Sequence, residues 1–194
     1  MPVDHYRMAN FPGMNLKKIY GDDWKEKWEE ISCHILMNNG INSQGNFPGI
    51  AVNNGRSKMA YVRELPDFPV TDTLIFRDFP DVLSPEYEEK SLIYAEKLEE
   101  WKHDPWLIGY FLRNEPEFNF VENLAIADEV LRNPAQTFCR KGLIAFLKER
   151  YVTIEALNQA WKTDFGSFAA LEGPVVDCSA RYPGSRKDIR EFSG

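Results

Sequence analysis

The chain has 194 residues, of which 27% are charged and 43% hydrophobic, and a formal net charge of −7 at pH 7. A chain of this length and composition can form a globular core of its own. Its acidic balance argues against nucleic acid as a partner, and it has no apolar stretch long enough to predict a membrane span.

The first third of the chain predicts a loop, a helix and a strand in that order. Residues 1–21 are rich in Asn, Pro and Gly and are predicted to be irregular. Asp22 or Asp23 then caps a helix that ends at Asn39–Gly40, because glycine tolerates the left-handed conformation found at helix ends. A short strand from Ile41 to Phe47 follows directly.

The middle of the chain predicts two further strands and one helix. Met59–Leu65 is predicted as a strand, and residues 66–80 as a loop that is interrupted by prolines. Ser84 and Pro85 have the residue types that begin a helix. The run Leu107–Leu112 is almost continuously apolar, which is typical of a parallel strand that is buried on both faces.

Two more helices are predicted in the last third, one from Asn133–Pro134 and one from Thr153 to about Trp161. Residues 172–194 carry Gly, Pro, Ser and charge without an apolar period and are predicted to be irregular. The alternation of helices with parallel-type strands predicts an α/β fold. A closed eight-stranded barrel typically needs about 250 residues, so the single predicted domain, 1–194, is either part of a barrel or a small open α/β domain.

Asn114 and Glu115 lie where the last predicted strand ends, immediately before Pro116. The carboxyl ends of parallel strands form the active-site face of α/β barrels. Burial beside the neighbouring aromatic residues would raise the pKa of the Glu115 carboxyl, as a general acid requires. The alternative is a structural ion pair with Arg113, which shares a face with Glu115 in simple strand alternation, and spacing alone favours this alternative.

The string from Asp104 to Glu115, DPWLIGYFLRNE, resembles the fourth-strand motif of the clan A glycoside hydrolases. The likeness is closest to the family 50 β-agarases and next closest to the family 42 β-galactosidases. Residues 15–24, continuing to 40–47, resemble the agarase helix and second strand, and residues 146–165 resemble the segment after strand four in both families. The likeness therefore covers roughly residues 14–170, in order. Arg113 stands where agarases commonly carry Asp, and Phe47 where they carry Trp, which leaves the substrate and the activity open.

The resemblance implies a (β/α)₈ TIM-barrel fold, of which the chain holds only part, and a retaining, agarase-like glycosidase that acts on galactans. Glu115 would be the catalytic acid/base, and Asn114 would contact the sugar beside the scissile bond. The retaining mechanism also needs a nucleophilic carboxylate about 5–5.5 Å from the acid/base. The resemblance places it on a later strand, beyond Gly194, so we expect the chain alone to be inactive. Weaker substitutes within the chain are Glu64, Glu117 and Asp177.

Four further residues are candidate sugar contacts, each with a structural alternative. Asn42 and Asn46 would bind hydroxyl groups, or else satisfy backbone groups at strand and turn ends. Trp106 and Phe118 would offer aromatic faces to sugar rings, although core packing between helix and strand is the more frequent role for a tryptophan placed like Trp106.

Three functions therefore remain open: a galactan hydrolase, a non-catalytic glycan-binding or scaffold protein, and an α/β domain unrelated to sugars. The expected partner is an oligo- or polysaccharide, and unpaired strand edges of a partial barrel would favour homo-oligomers. No cofactor and no metal site are predicted, because three isolated cysteines and three scattered histidines lack ligand spacing. The first residues lack a signal-peptide pattern, yet the resembled families act largely in extracellular or periplasmic space, so the compartment is left unassigned.

Overall fold

The structure, a computed structural model, describes residues 10–45, 59–175 and 178–193. The chain divides into two compact units: Met1–Leu65 with Glu99–Leu112, and Pro66–Leu98 with Arg113–Gly194. Within the described ranges the strands are β1 (Ser43–Gln44), β2 (Ala60–Glu64), β3 (Leu74–Phe76), β4 (Phe79–Pro80) and β5 (Leu107–Phe111). The α-helices are α1 (Phe11–Tyr20), α2 (Trp24–Asn38), α3 (Pro85–Glu96), α4 (Ile126–Arg132), α5 (Phe138–Tyr151), α6 (Ile154–Trp161), α7 (Cys178–Arg181) and α8 (Arg186–Ser193). None of these helices is long and apolar enough to cross a membrane.

The first unit contains a parallel sheet with the strand order β1-β2-β5. Ser43 lies opposite Ala60, and Tyr61 lies opposite Leu107. All three predicted strands are therefore confirmed, although residues 46 and 47 of the first lie outside the described residues. The expected burial of β5 on both faces is wrong, since Ile108 is 61% exposed.

Helix α1 corrects the prediction that residues 1–21 are irregular. The Asn10 side chain accepts a hydrogen bond of 2.9 Å from the backbone N–H of Gly13, and Pro12 occupies the first turn. Both are roles in which these residue types begin helices rather than interrupt them. Helix α2 follows as predicted, and Gly40 has a φ of +78° just beyond its end.

The hairpin of β3 and β4 corrects the predicted loop over residues 66–80. The strands pair antiparallel, with Phe76 opposite Phe79, and Arg77 and Asp78 form the turn between them. Arg77 adopts a φ of +49°, a conformation that hairpin turns usually assign to Gly or Asn. A turn built from Arg and Asp gives no such signal in the sequence, so the prolines of this stretch predict a loop instead.

The core of the second unit lies among its helices and includes thirteen buried residues, from Ile75 to Ile189. Helix α3 begins as predicted, with the Ser84 hydroxyl accepting from the Tyr87 N–H at 3.1 Å. The Thr153 hydroxyl caps α6 in the same way through the Ala156 N–H, at 3.2 Å. The helix predicted from Asn133–Pro134 instead begins at Phe138, and the unpredicted helix α4 precedes it.

Helices α7 and α8 correct the prediction that residues 172–194 are irregular. In α8, Ile189 is fully buried and Phe192 is half-buried, while Arg186, Lys187 and Arg190 are exposed. The many charged residues thus lie mostly on one side of an amphipathic helix. Asp188 is the exception, and its buried carboxylate is bonded within the protein.

Candidate active site

Asn114 and Glu115 lie in an irregular segment that follows β5 and precedes a short 3₁₀ turn, Glu117–Phe120. Glu115 has a φ of +38°, in the left-handed region that residues other than glycine rarely adopt. Such a conformation costs on the order of 1–3 kcal/mol and persists only where the surrounding structure holds it. Strained backbone of this kind clusters at active sites, so the conformation favours a functional interpretation of Glu115.

The Asp78 carboxylate binds the backbone directly after Glu115. It accepts hydrogen bonds from the N–H groups of Glu117, at 2.8 Å, and Phe118, at 3.1 Å. Because Pro116 has no N–H, these are the first two backbone donors that follow Glu115. On its C-terminal side, Glu115 is therefore followed directly by backbone that Asp78 holds in place.

The same carboxylate also forms an ion pair with the Arg113 guanidinium, and both side chains are 21% exposed. Burial raises the pKa of Asp78, but the Glu117 and Phe118 N–H groups and Arg113 outweigh it, so the pKa lies below its ordinary value. Arg113 thus pairs with Asp78, and the ion pair with Glu115 that strand spacing favoured is wrong. The reason is that β5 ends at Phe111, so strand alternation does not extend to residues 113 and 115.

Two further contacts fasten the 3₁₀ turn to the β3–β4 hairpin. The Arg77 guanidinium donates a hydrogen bond of 2.9 Å to the backbone carbonyl of Glu117. The rings of Phe79 and Phe118 meet edge to face, with their centroids 5.1 Å apart. Phe118, predicted as a sugar contact, is half-buried and has this packing role as well.

The side chains of Asn114 and Glu115 are both exposed. The expectation that aromatic neighbours bury Glu115 is therefore wrong for the described residues, again because the strand ends four residues earlier. An exposed carboxyl and an exposed amide next to each other can reach the oxygen atoms of a bound sugar. The alternative carboxylates Glu64 and Glu117 are exposed as well, and Asp177 lies outside the described residues.

Asn42 and Trp106 belong to the first unit, and each directly precedes a strand, β1 and β5 respectively. They lie at the amino ends of these strands, whereas an α/β barrel builds its active site at the carboxyl ends. The structure therefore does not support the sugar contacts predicted for them. Asn46, the fourth candidate, lies outside the described residues.

The residues just before β5 have a structural role that the sequence motif did not reveal. One oxygen of the Asp104 carboxylate accepts from the Trp106 N–H at 2.9 Å, and the other from the Tyr61 hydroxyl at 2.8 Å. Burial, and then the bond to Asp104, raise the pKa of Tyr61 to about 12. Asp104 thus links the start of β5 to the neighbouring strand β2.

Sequence reasoning missed Asp78, which holds the segment that carries the candidate acid/base. Asp78 is separated from its partners by 35 to 40 residues along the chain. It also lay in a stretch that was predicted to be loop, so no local pattern marked it. Within the described ranges, no group of His, Cys, Asp and Glu residues could hold a metal ion.

A model of a β-galactosidase family, Glyco_hydro_42, matches residues 71–192. β-Agarase B of Vibrio sp. (strain JT0107) is 26% identical over 202 residues, which cover 94% of this chain and 21% of that protein. The β-galactosidase BglY of Alicyclobacillus acidocaldarius is 30% identical over 115 residues, which cover 56% of this chain and 15% of that protein. The chain thus spans about a fifth or less of the length of these relatives.

Solved agarase structures resemble the chain over most of its length. An exo-β-agarase superposes with a TM-score of 0.73 and 26% identity, covering 92% of this chain and 26% of that one. The agarase AgWH50C also superposes with a TM-score of 0.73, at 23% identity, covering 92% of this chain and 27% of that one. These structures have the TIM-barrel fold, so the prediction of a partial (β/α)₈ barrel is confirmed.

Proposed function

The chain belongs to the Glyco_hydro_42 family of β-galactosidases, and from that membership we propose that it carries the acid/base half of a galactan-cleaving glycoside hydrolase. The resemblance that the sequence indicated is thereby confirmed. One observation above all carries the proposal. Glu115 follows the carboxyl end of a parallel barrel strand and is held in a strained backbone conformation.

In the proposed retaining reaction, the Glu115 carboxyl protonates the glycosidic oxygen while a second carboxylate attacks the anomeric carbon. The leaving sugar departs with the proton, and a covalent glycosyl–enzyme remains. Glu115, now ionised, then removes a proton from the water that releases the sugar from the nucleophile. The Asn114 amide would bind a hydroxyl of the sugar beside the scissile bond.

We propose that the nucleophile is not among the candidate carboxylates of this chain. The three parallel strands are part of a barrel that has eight, and the chain corresponds to about a quarter of the agarase structures it resembles. A later strand of the barrel is therefore the proposed source of the second carboxylate. On this account the chain binds a galactan and does not cut it efficiently without that strand.

A second candidate function is a glycan-binding protein without catalysis. The exposure of Glu115 favours it, because a general acid that works near neutral pH usually has its carboxyl in a desolvated site. The two functions share the ligand and the segment, and they differ in whether turnover depends on the Glu115 carboxyl.

The test compares the wild-type chain with Glu115→Gln and with Glu122→Gln, an exposed glutamate seven residues away that serves as a matched control. Each protein is incubated with agaro-oligosaccharides and with aryl β-galactosides, while binding and the release of reducing ends are followed together. Binding without turnover is the expected result, with Glu115→Gln changing the affinity and Glu122→Gln leaving it unchanged.

Two other results are informative. Turnover that Glu115→Gln alone abolishes would establish the acid/base and place a nucleophile within the chain or in a second copy of it. If none of the sugars binds, the proposed function is wrong.

A further inference from the structure

We propose that Asp78, on the turn of the β3–β4 hairpin, is the positioning residue for Glu115: it holds the backbone on both sides of the acid/base in one conformation. The proposal rests on the function proposed above, because positioning matters only if Glu115 acts on a ligand. It adds a residue from a different part of the chain to the site.

The Glu115 segment needs an external support. A catalytic group must be held within about 0.5 Å of its productive geometry, and a loop does this less well than a helix or strand. Here the strand ends at Phe111, four residues before Glu115, and the next turn begins at Glu117. The φ of +38° at Glu115 adds a conformational strain that would relax if the segment were free.

Asp78 supplies this support from both sides of Glu115. Two residues before Glu115, the Arg113 guanidinium pairs with the Asp78 carboxylate and also donates a hydrogen bond of 3.3 Å to the Asp78 backbone carbonyl. Two and three residues after Glu115, the backbone N–H groups of Glu117 and Phe118 donate to the same carboxylate. Hydrogen bonds to an ionised group are about twice as strong as neutral ones. A single carboxylate thus fixes the segment from Arg113 to Phe118 at both of its ends.

Asp78 can act as a support because its hairpin is fixed in turn to the helices. The Asn133 side-chain amide donates to the backbone carbonyls of Leu74 and Ile75, at 2.7 and 3.0 Å. The Ile75 side chain is 4% exposed and belongs to the hydrophobic core. The hairpin is therefore fixed to the end of α4. Through Asp78, the Glu115 segment is in turn connected to the helical core.

The second strand of the hairpin is fixed as well, at the same end, opposite the turn. Asp81, which follows β4 directly, is 3% exposed and accepts hydrogen bonds from the N–H groups of Phe138, at 2.6 Å, and Cys139, at 2.7 Å. These are the first residues of α5, where the helix has unsatisfied N–H groups. Because both strands of the hairpin are fixed at the end opposite the turn, a change at Asp78 should affect the Glu115 segment and leave the hairpin in place.

The experiment uses the full chain with four substitutions: Asp78→Ala, Asp78→Asn, Arg113→Gln and, as a control, Asp72→Asn. Asp72 is an exposed aspartate of the same unit, at 95% side-chain exposure, and its ion pair with Lys90 is long, at 3.7 Å. Amide hydrogen exchange reports the bonds of Glu117 and Phe118. A strong NMR cross-peak between the amide and Hα protons of Glu115 itself reports its positive φ.

We expect Asp78→Ala to accelerate exchange at both amides about 10- to 100-fold, the effect of losing a hydrogen bond to a charged acceptor. The cross-peak at Glu115 should weaken in the same variant. Asp78→Asn keeps one carbonyl acceptor and should affect one amide more than the other. Arg113→Gln should leave both amides protected and loosen only the residues before Glu115, and Asp72→Asn should change nothing.

Binding of agaro-oligosaccharides provides the functional readout. If Asp78 positions Glu115, the loss of order should weaken binding about tenfold or more, because the segment must then be ordered when the sugar binds. Asp78→Asn should weaken binding less in a Glu115→Gln background than in the wild-type chain. A general loss of stability would weaken binding equally in both backgrounds.

Unchanged exchange at the Glu117 and Phe118 amides together with an unchanged cross-peak at Glu115 in Asp78→Ala would overturn the proposal, and so would equal effects of Asp78→Asn on binding in the two backgrounds. If Asp78→Ala does not fold, the same measurements on Asp78→Asn decide the question. If the wild-type chain binds no glycan, the proposed function fails, while the exchange and cross-peak data still show whether Asp78 holds Glu115.

Discussion

The indole N–H of Trp161 donates a hydrogen bond of 2.6 Å to the carboxylate of Asp188. Trp161 is the last residue of α6 and Asp188 lies in the first turn of α8, and both are almost completely buried. The same carboxylate accepts from the Tyr151 hydroxyl at 2.6 Å and pairs with the Arg150 guanidinium at 3.1 Å. Asp188 thus joins α8 to the ends of α5 and α6. A buried carboxylate needs such partners, because burial without them is unfavourable.

Asp188→Ala should destabilise the protein strongly. The substitution leaves the buried donors of Trp161 and Tyr151 without an acceptor, and breaking a buried charged network typically costs about 3–5 kcal/mol. Glu191, the exposed second partner of Arg150, offers the control, and Glu191→Ala should cost less than about 1 kcal/mol. Urea unfolding measures both, and similar losses for the two variants would contradict the assigned role.

The stability should fall as the pH rises from about 10 to about 12, because burial and the bond to Asp104 raise the pKa of Tyr61 to about 12. Below pH 10 the hydroxyl is protonated in the folded and unfolded states, so its contribution is fully present. Between the two pKa values only the unfolded state loses its proton, which favours unfolding by up to about 2–3 kcal/mol. Tyr61→Phe should show a shallower decline, and parallel declines would be evidence against this cause.

Arg140→Met should destabilise the second unit. The Arg140 side chain is 1% exposed, and its guanidinium donates to the backbone carbonyls of Val130, Leu131, Asn133 and Glu172. A buried carbonyl left without a partner costs about 1–3 kcal/mol, so we expect a loss of at least about 2 kcal/mol. Lys141→Met, at the exposed neighbouring position, should cost under about 1 kcal/mol in the same thermal unfolding experiment. Equal losses would show that the four carbonyls do not depend on Arg140.

Gly184→Ala should be more harmful than Gly166→Ala. A Cβ atom at Gly184 would lie 2.1 Å from the backbone carbonyl oxygen of Ala160, so the backbone must shift, at a typical cost of about 1–3 kcal/mol. A Cβ atom at Gly166 meets nothing within 4 Å. Gly166→Ala should therefore be neutral, or stabilise by about 0.4–1 kcal/mol through the unfolded state. A comparison of melting temperatures decides, and equal values would contradict the close approach.

The helices that the sequence predicted correctly are those with a signal of their own. Ser84 and Thr153 cap their helices through N–H groups only three residues away, and the cap is visible in any short window of sequence. Asp188 lies in a charged stretch that resembles a frayed end, and only its contact with Trp161, 27 residues away, shows that the stretch is packed. Helix starts could therefore be predicted from residues close together in the sequence, whereas packing between distant segments could not.

The same distinction between local and distant signals applies to the candidate site. Asn114 and Glu115 were found because their short motif sits at the end of an apolar strand. The neighbours of Glu115 were predicted by extending the strand alternation, which fails because β5 ends at Phe111. Asp78, the residue that holds the segment, depends on a hairpin whose turn carries no glycine or asparagine, so no pattern in the sequence pointed to it.

The most direct test of the central claim is to locate a bound galactan on the isotope-labelled chain by NMR. Agaro-oligosaccharide is titrated into the wild-type protein and into Asn114→Ala, and every resolved amide is followed. The account predicts saturable shifts centred on Asn114, Glu115 and the Glu117–Phe120 turn, with an affinity that Asn114→Ala weakens. Saturable shifts elsewhere with these residues unmoved, or no shifts at millimolar sugar, would contradict it.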